Sequence, residues 1–191
     1  MMPDKSLTQA DKELLLAIAR QAIEQGVNGG QVRQLDHSGL SDALLENGAS
    51  FVTLTIDGRL RGCIGALEAY QCLADDVQEH ALAAAFDDYR FPPVTLNEVH
   101  QLHLEISRLT PPVPLAYNNP EDLPALLTPH EDGVIIRDGR QRATFLPQVW
   151  RQVPDPERFL DQLCMKMGAA PSLWRKKMLE VSIYHVEEWS E

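Results

Sequence analysis

A thiol and a guanidinium stand two residues apart in Leu60-Arg61-Gly62-Cys63-Ile64-Gly65. On a β-strand that spacing sends both side chains from one face. A guanidinium beside a thiol favours the thiolate, which is the nucleophilic form. The chemistry implied is a thiol site: Cys63 is the nucleophile, Arg61 stabilises the thiolate or holds an anionic substrate, and Gly62 and Gly65 let a ligand approach the backbone. A general base must then lie within about 3 Å. His103 and Glu105 are the first candidates and His80 is the reserve. Arg90 lies between Tyr89 and Phe91, ahead of Pro92-Pro93, in a loop that the prolines stiffen. It can bind an anion or tie the loop to Asp87 or Asp88. A structural reading competes with the catalytic one. In it Cys63 is a small half-buried residue, Arg61 is half of an ion pair, and the glycines serve a bulge or close packing under a helix.

Two strands must position these groups. The segment Phe51-Val52-Thr53-Leu54-Thr55-Ile56 and the hexapeptide alternate on either side of Asp57-Gly58, which predicts a β-hairpin over 49–67. A three-residue loop, 57–59, sets Ile56 opposite Leu60. Val52, Leu54, Ile56, Leu60, Gly62 and Ile64 then share one face, and Thr53, Thr55, Arg61 and Cys63 the other. A two-residue loop would mix Arg61 and Cys63 with the apolar set, so the pattern selects the longer loop. Residues 101–109 also alternate, with Leu102, Leu104, Ile106 and Arg108 opposite Gln101, His103, Glu105, Ser107 and Leu109. The proposed bases reach the thiol only if this strand lies beside the hairpin with its polar face on the same side. His100 and His103 point opposite ways on such a strand and make no metal pair.

The remaining periodicities are those of a packed core. Residues 1–7 read as a frayed start. Thr8 and Asp11 form a capping box before Leu14, Leu15, Ile18, Ala19, Ala22 and Ile23, with Gly26 as the stop. A connection over 26–40 leads to a short helix at 41–46. A helix at 71–86 buries Leu73, Val77, Ala81 and Ala84, with Cys72 at its start and His80 beside the stripe. A helix over 120–127, a second hairpin about Asp138-Gly139 and a short helix from Pro147 follow. The next helix is capped by Asp155-Pro156 and carries Phe159, Leu160, Leu163, Cys164 and Met167. Trp174 docks an irregular segment, and a strand over 181–186 closes the chain. Hairpins require antiparallel pairing, and no βαβ rhythm recurs. The class expected is α+β, a mostly antiparallel sheet with helices packed on it.

Composition narrows the function. With 44% hydrophobic and 24% charged residues the chain reads as a globular protein able to bury a core without staples. A net charge of −11 opposes phosphate-tracking contacts, so no nucleic acid is expected, and Arg175-Lys176-Lys177 reads as a solvated face. No run of signal-peptide or membrane-span length is present, which points to the cytoplasm. Three cysteines at these spacings predict neither a disulfide framework nor a zinc site. Gly29-Gly30 lacks the lysine and hydroxyl of a phosphate loop, so neither metal nor cofactor is expected.

The hexapeptide after Val52-Thr53-Leu54 is joined by further matches: Ala84-Ala85-Phe86-Asp87 leading to Arg90-Phe91-Pro92-Pro93-Val94, then Leu104-Glu105-Ile106-Ser107-Arg108-Leu109-Thr110. Gly133-Val134-Ile135-Ile136-Arg137, Phe145-Leu146-Pro147-Gln148-Val149 and the segment from Phe159 to Lys166 complete the set. Together they resemble the AMMECR family, named from the AMME syndrome candidate region and called AmmeMemoRadiSam system protein A in prokaryotes. The resemblance covers nearly the whole chain. It implies a single domain over residues 1–191 with a larger and a smaller lobe. It carries Arg61, Gly62, Cys63, Gly65, Arg90 and Glu105 onto motif positions, whereas His103 and His80 match none. Glu131-Asp132 precede Gly133 where the family has a histidine or similar residue. Relatives are commonly encoded beside, or fused with, Memo-like and radical-SAM proteins, which implies these as partners in a shared pathway. The family's activity is unassigned, so two classes stand. One is a thiol enzyme handling a small anionic or protein-borne substrate. The other is a non-catalytic accessory or regulatory protein that binds through the same hairpin face.

Overall fold

The computed structural model describes residues 6–29 and 33–191. By internal packing the chain divides into two compact units: the chain through Thr110 with Glu187–Glu191, and Pro111–Val186. The first unit holds α1 (Gln9–Val27), α2 (Asp42–Leu45), β1 (Asn47–Ile56), β2 (Arg59–Gly65), β3 (Gln71–Cys72), α3 (Leu73–Phe86), α4 (Leu96–Val99) and β4 (His103–Leu109). The second holds β5 (Val113–Pro114), a 3-10 helix at Pro120–Leu126, β6 (Gly133–Asp138), β7 (Gln141–Phe145), a 3-10 helix at Pro147–Arg151, α5 (Pro156–Lys166), α6 (Leu173–Lys176) and β8 (Glu180–Tyr184). The last strand, β9 (Val186–Ser190), returns to the first sheet.

In the first unit the strand order is β2-β1-β4-β9, and β3 pairs with the start of β1. β1 is antiparallel to β2, β3 and β4. One face, built from Val52, Leu54, Leu104 and Ile106, packs in the same core as Leu73, Ala74, Val77, Ala81 and Ala84 of α3 and Leu15, Ile18 and Ile23 of α1. Each fully buried aliphatic side chain of this kind stabilises the fold by roughly 1.5–3 kcal/mol. Thr8 and Asp11 close the expected capping box on α1, which runs one residue past Gly26 and is capped at Asn28. Leu7, expected in a frayed start, is buried in this core. Residues 1–5 of that start, and Gly30, lie outside the described residues.

The hairpin differs from expectation at its tip. The turn has two residues, Asp57 (φ 50°) and Gly58 (φ 71°), with Ile56 opposite Arg59 and Thr55 opposite Leu60. Two consecutive positive φ values match the right-handed twist of the strands, which a longer loop does not need to supply. The register then shifts between Leu54 and Thr55, after which Leu54 faces Gly62, Thr53 faces Cys63 and Val52 faces Ile64. Arg61 has no partner in that register; it is the extra residue of a β-bulge. The pairing expected for residues 62–64 is thus recovered. The alternation that put Arg61 and Cys63 on one face fails at the bulge.

In the second unit the order is β5-β8-β6-β7, all antiparallel. Asp138 pairs with Gln141, so the turn is Gly139-Arg140, one residue beyond the expected Asp138-Gly139. The helix expected near 120–127 is 3-10, with Pro124 inside it unable to donate a backbone hydrogen bond. Asp155 caps α5 by accepting from the Arg158 N–H at 2.8 Å. Phe159 stacks on Trp150 with ring centroids 3.7 Å apart, and Leu160, Leu163, Cys164 and Trp174 complete the core. The expected strand over 181–186 is divided at His185 between β8 and β9. Among the described residues no helix is long and apolar enough to cross a membrane. The α+β class stands.

Candidate functional site

β2 is the edge strand of its sheet, and an edge strand carries backbone groups without a ladder partner. At Cys63 that edge is capped by two side chains. The Cys63 N–H donates to Asp88 Oδ2 at 2.9 Å, and the Cys63 carbonyl accepts from Arg90 Nη2 at 3.1 Å. Arg90 also donates from Nε to Asp88 Oδ1 at 2.9 Å and from Nη2 to Asp88 Oδ2 at 2.6 Å. The Asp88–Arg90 pair thus stands in for one residue of a neighbouring strand. The Arg90 guanidinium, through its hydrogen bonds, holds the buried Asp88 carboxyl well below the usual carboxylate range, with the Cys63 N–H adding to it. Of the two roles expected for Arg90, an anion ligand or a tie from the loop to Asp87 or Asp88, the tie to Asp88 is present, made by its Nε and Nη2.

Arg61 is turned onto α4. Its Nε donates to Glu98 Oε1 at 2.8 Å and its Nη2 to Oε2 at 3.2 Å, a two-point contact. Glu98 is held in place by its own helix start, where its Oε2 accepts from the Thr95 N–H and hydroxyl, both at 2.8 Å. Arg61 first, and then the Thr95 N–H, lower the Glu98 carboxyl to about 2. The third guanidinium nitrogen, Arg61 Nη1, is buried and has no hydrogen-bond partner. Arg61 also lines a cavity of about 410 Å³ at the hairpin tip with Ile56, Asp57, Arg59 and Leu60.

The Cys63 sulfur is half-buried and accepts from Thr53 Oγ1 at 3.3 Å. Thr53 pairs with Cys63 on one side and Glu105 on the other, so the three form a row across β2, β1 and β4. His103 pairs with Thr55, two residues further along. Strands lie about 4.8 Å apart, which sets the Glu105 and Cys63 backbones about 10 Å apart along the row. β4 therefore does lie in the same sheet as the hairpin, but β1 separates it from β2. The third candidate, His80, is buried on α3, where its Nδ1 lies 3.1 Å from Asp76 Oδ2; the same oxygen accepts from Ser50 Oγ at 2.6 Å.

The two glycines have their space filled by the protein itself. A Cβ on Gly62 would stand 2.1 Å from the Ala84 carbonyl oxygen of α3, and one on Gly65 would stand 2.4 Å from both Ser50 O and the Phe51 ring. They permit strand-to-helix and strand-to-strand approach. No three metal-ligating side chains among the described residues converge at this edge.

Asp88 was named in the sequence as one of two carboxylates able to tie down Arg90, and Thr53 as a residue on the Cys63 face; both contacts are present, whereas Glu98 was not singled out. Glu98 carried a signal, Thr95-x-x-Glu98, the form of a capping box.

A family model described as AMMECR1 matches residues 16–189. A protein of Methanothermobacter thermautotrophicus is 38% identical over 185 residues, covering 94% of this chain and 96% of its own. A protein of Thermofilum pendens is 34% identical over 200 residues, covering 97% and 92%. Among solved structures, an uncharacterised protein from Pyrococcus horikoshii superposes with a TM-score of 0.74 at 34% identity, over 94% of this chain and 90% of that one.

Proposed function

This chain belongs to the AMMECR1 family, and from that premise we propose that it is a non-catalytic accessory protein whose β1–β2 hairpin receives a carboxylate of a partner protein. The observation that carries this reading is Arg61. It lines the cavity of about 410 Å³ together with Arg59, so that two guanidinium-bearing side chains border the space a carboxylate would enter. The lining sets Arg59 and Arg61 against Asp57, and Glu98 already offsets one guanidinium. Recognition is therefore by local contact with these side chains rather than by bulk field. Large apolar side chains flank the same contacts. Leu60 precedes Arg61 and is 44% exposed, Leu96 stands two residues from Glu98 and is 61% exposed, and Tyr89 lies between Asp88 and Arg90 and is 94% exposed. Aromatic and aliphatic anchors around a guanidinium suit a protein surface. The Memo-like and radical-SAM proteins implied by the family resemblance are the partners proposed, with the cytoplasm as the compartment.

A thiol enzyme is the second reading. It keeps one observation, the Thr53 hydroxyl that donates to the half-buried sulfur. It lacks a base within about 3 Å of that sulfur among the candidates His103, Glu105 and His80. A pull-down with the Memo-like and radical-SAM proteins separates the two. On the accessory reading, Cys63→Ser retains the partner captured by wild type, while Arg61→Ala and Tyr89→Ala lose it. Loss of capture in Cys63→Ser with retention in Arg61→Ala would overturn it.

A further inference from the structure

Three donors of different chemistry meet on the first unit away from the hairpin. His37 comes from the loop before α2, Cys72 from the residue that caps α3, and Asp75 from the first turn of α3. His37 Nε2 lies 3.0 Å from Asp75 Oδ1, the Cys72 sulfur lies 3.1 Å from Asp75 Oδ2, and sulfur and imidazole nitrogen are 4.0 Å apart. The ligand atoms of all three residues fall within 4.8 Å of one another.

The arrangement is not that of a nucleophile with its base. A Cys–His–Asp relay uses the two ring nitrogens for different partners, one for the thiol and the other for the carboxylate. Here the same nitrogen, Nε2, approaches both the sulfur and the carboxylate. Lone pairs that converge on a common point are what a cation requires. In a tetrahedral zinc site, metal–ligand lengths of about 2.0–2.3 Å set neighbouring donors about 3.3–3.6 Å apart. Two of the separations involve different Asp75 oxygens; taken as one donor atom per residue the set lies within 4.8 Å, so the side chains close on a common ion by moving about 1 Å.

We propose that His37, Cys72 and Asp75 bind a zinc-class divalent cation, with three protein ligands and a fourth position left to water. On binding, the Cys72 thiol gives its proton to solvent and the thiolate coordinates the metal, while neutral His37 donates the Nε2 lone pair. The thiolate and the Asp75 carboxylate together balance the charge of a dication. The donor set of one thiolate, one imidazole and one carboxylate selects zinc over calcium or magnesium, which take oxygen ligands. Access is open: the His37 and Asp75 side chains are 43% and 30% exposed, and Asp75 forms part of the wall of a cavity of about 410 Å³ with Gln71, Gln78 and Glu79. Ligand spacing along the chain gave no sign of this set, because a loop and a helix start 35 residues further on supply it. The metal ties that loop to α3.

Cobalt(II) titration of the untagged, reduced, chelator-treated chain tests the proposal. The wild type is expected to bind one equivalent, with a thiolate-to-cobalt charge-transfer band that zinc displaces. Cys72→Ser should abolish the band and Cys63→Ser should keep it. His37→Gln and Asp75→Asn should each weaken binding by at least about tenfold, since even residues behind the ligands cost 10–100-fold. No thiolate band in the wild type, a band that survives Cys72→Ser, or unchanged affinity in His37→Gln would each overturn the three-ligand site.

Discussion

Replacing Gly62 with alanine isolates the packing of β2 on α3. The Gly62 backbone does not require a positive φ, so alanine can adopt it, and the only new element is a methyl group 2.1 Å from the Ala84 carbonyl oxygen and 3.0 Å from its carbon. The obstacle is helix backbone, which cannot rotate away as a side chain would. A carbon–oxygen contact needs roughly 3.2 Å, so the strand must retreat by about 1 Å. A gap of that size forfeits a quarter to a half of the dispersion contacts that line it. Overpacking of this kind costs about 1–3 kcal/mol, and a rigid neighbour sets it at the upper end. The unfolded chain loses entropy when glycine becomes alanine, which returns about 0.4–1 kcal/mol. The net destabilisation is about 2 kcal/mol. For a chain of this length that corresponds to a fall of roughly 4–8 °C in the melting temperature. Differential scanning calorimetry reads it. A variant that melts within 1 °C of wild type would refute the seating of β2 against α3 and, with it, the structural role given to this glycine.

The hairpin tip gives the contrasting case. Gly58→Ala meets no atom within 4 Å but must hold φ near +71°, so it should cost about 1 kcal/mol of strain alone; a cost as large as that of Gly62→Ala in the same scan would contradict the two-residue turn. Acid titration probes the Arg61–Glu98 contact. The folded-state value of Glu98, about 2, lies below its ordinary one, so its stabilisation is complete above the ordinary value and is lost as pH falls toward 2. Urea midpoints measured from pH 6 to 2.5 should therefore fall less steeply in Glu98→Gln than in wild type; parallel profiles would rule the contact out as a source of acid sensitivity. Asp88, also depressed, contributes with the same sign over a lower window, and Asp88→Asn should flatten the most acidic part of the same profile. Cys164 is fully buried and burial pushes its thiol up; iodoacetamide at pH 7 should reach it only at the rate of unfolding, and prompt labelling would show an open second core.

Much of the fold was legible because it rests on local patterns. The Thr8 capping box, the Leu73–Ala84 stripe of α3 and the Asp155 cap of α5 each depend on residues within a turn or two of one another. The hairpin marks the limit. Alternation fixed which of Val52, Leu54 and Ile64 share a face, but Arg61 left the alternation as a bulge, which no periodicity encodes. The second limit is long-range. The contacts at Cys63 come from Asp88, 25 residues on, and the Arg61 partner Glu98 lies 37 residues on, so neither could be paired from spacing alone. Burying His80 with Asp76 and Ser50 depended on how α3 sits on β1, again a tertiary fact.

The Cys63 alkylation rate bears most directly on whether the hairpin edge binds or catalyses. In a chain with Cys72 and Cys164 replaced by serine and alanine, native and urea-unfolded forms are treated with iodoacetamide at pH 7. A half-buried sulfur whose nearby guanidinium is turned onto Glu98 should react more slowly in the folded chain than in the unfolded one. A folded rate that exceeds the unfolded reference would identify an activated thiol and contradict the accessory role.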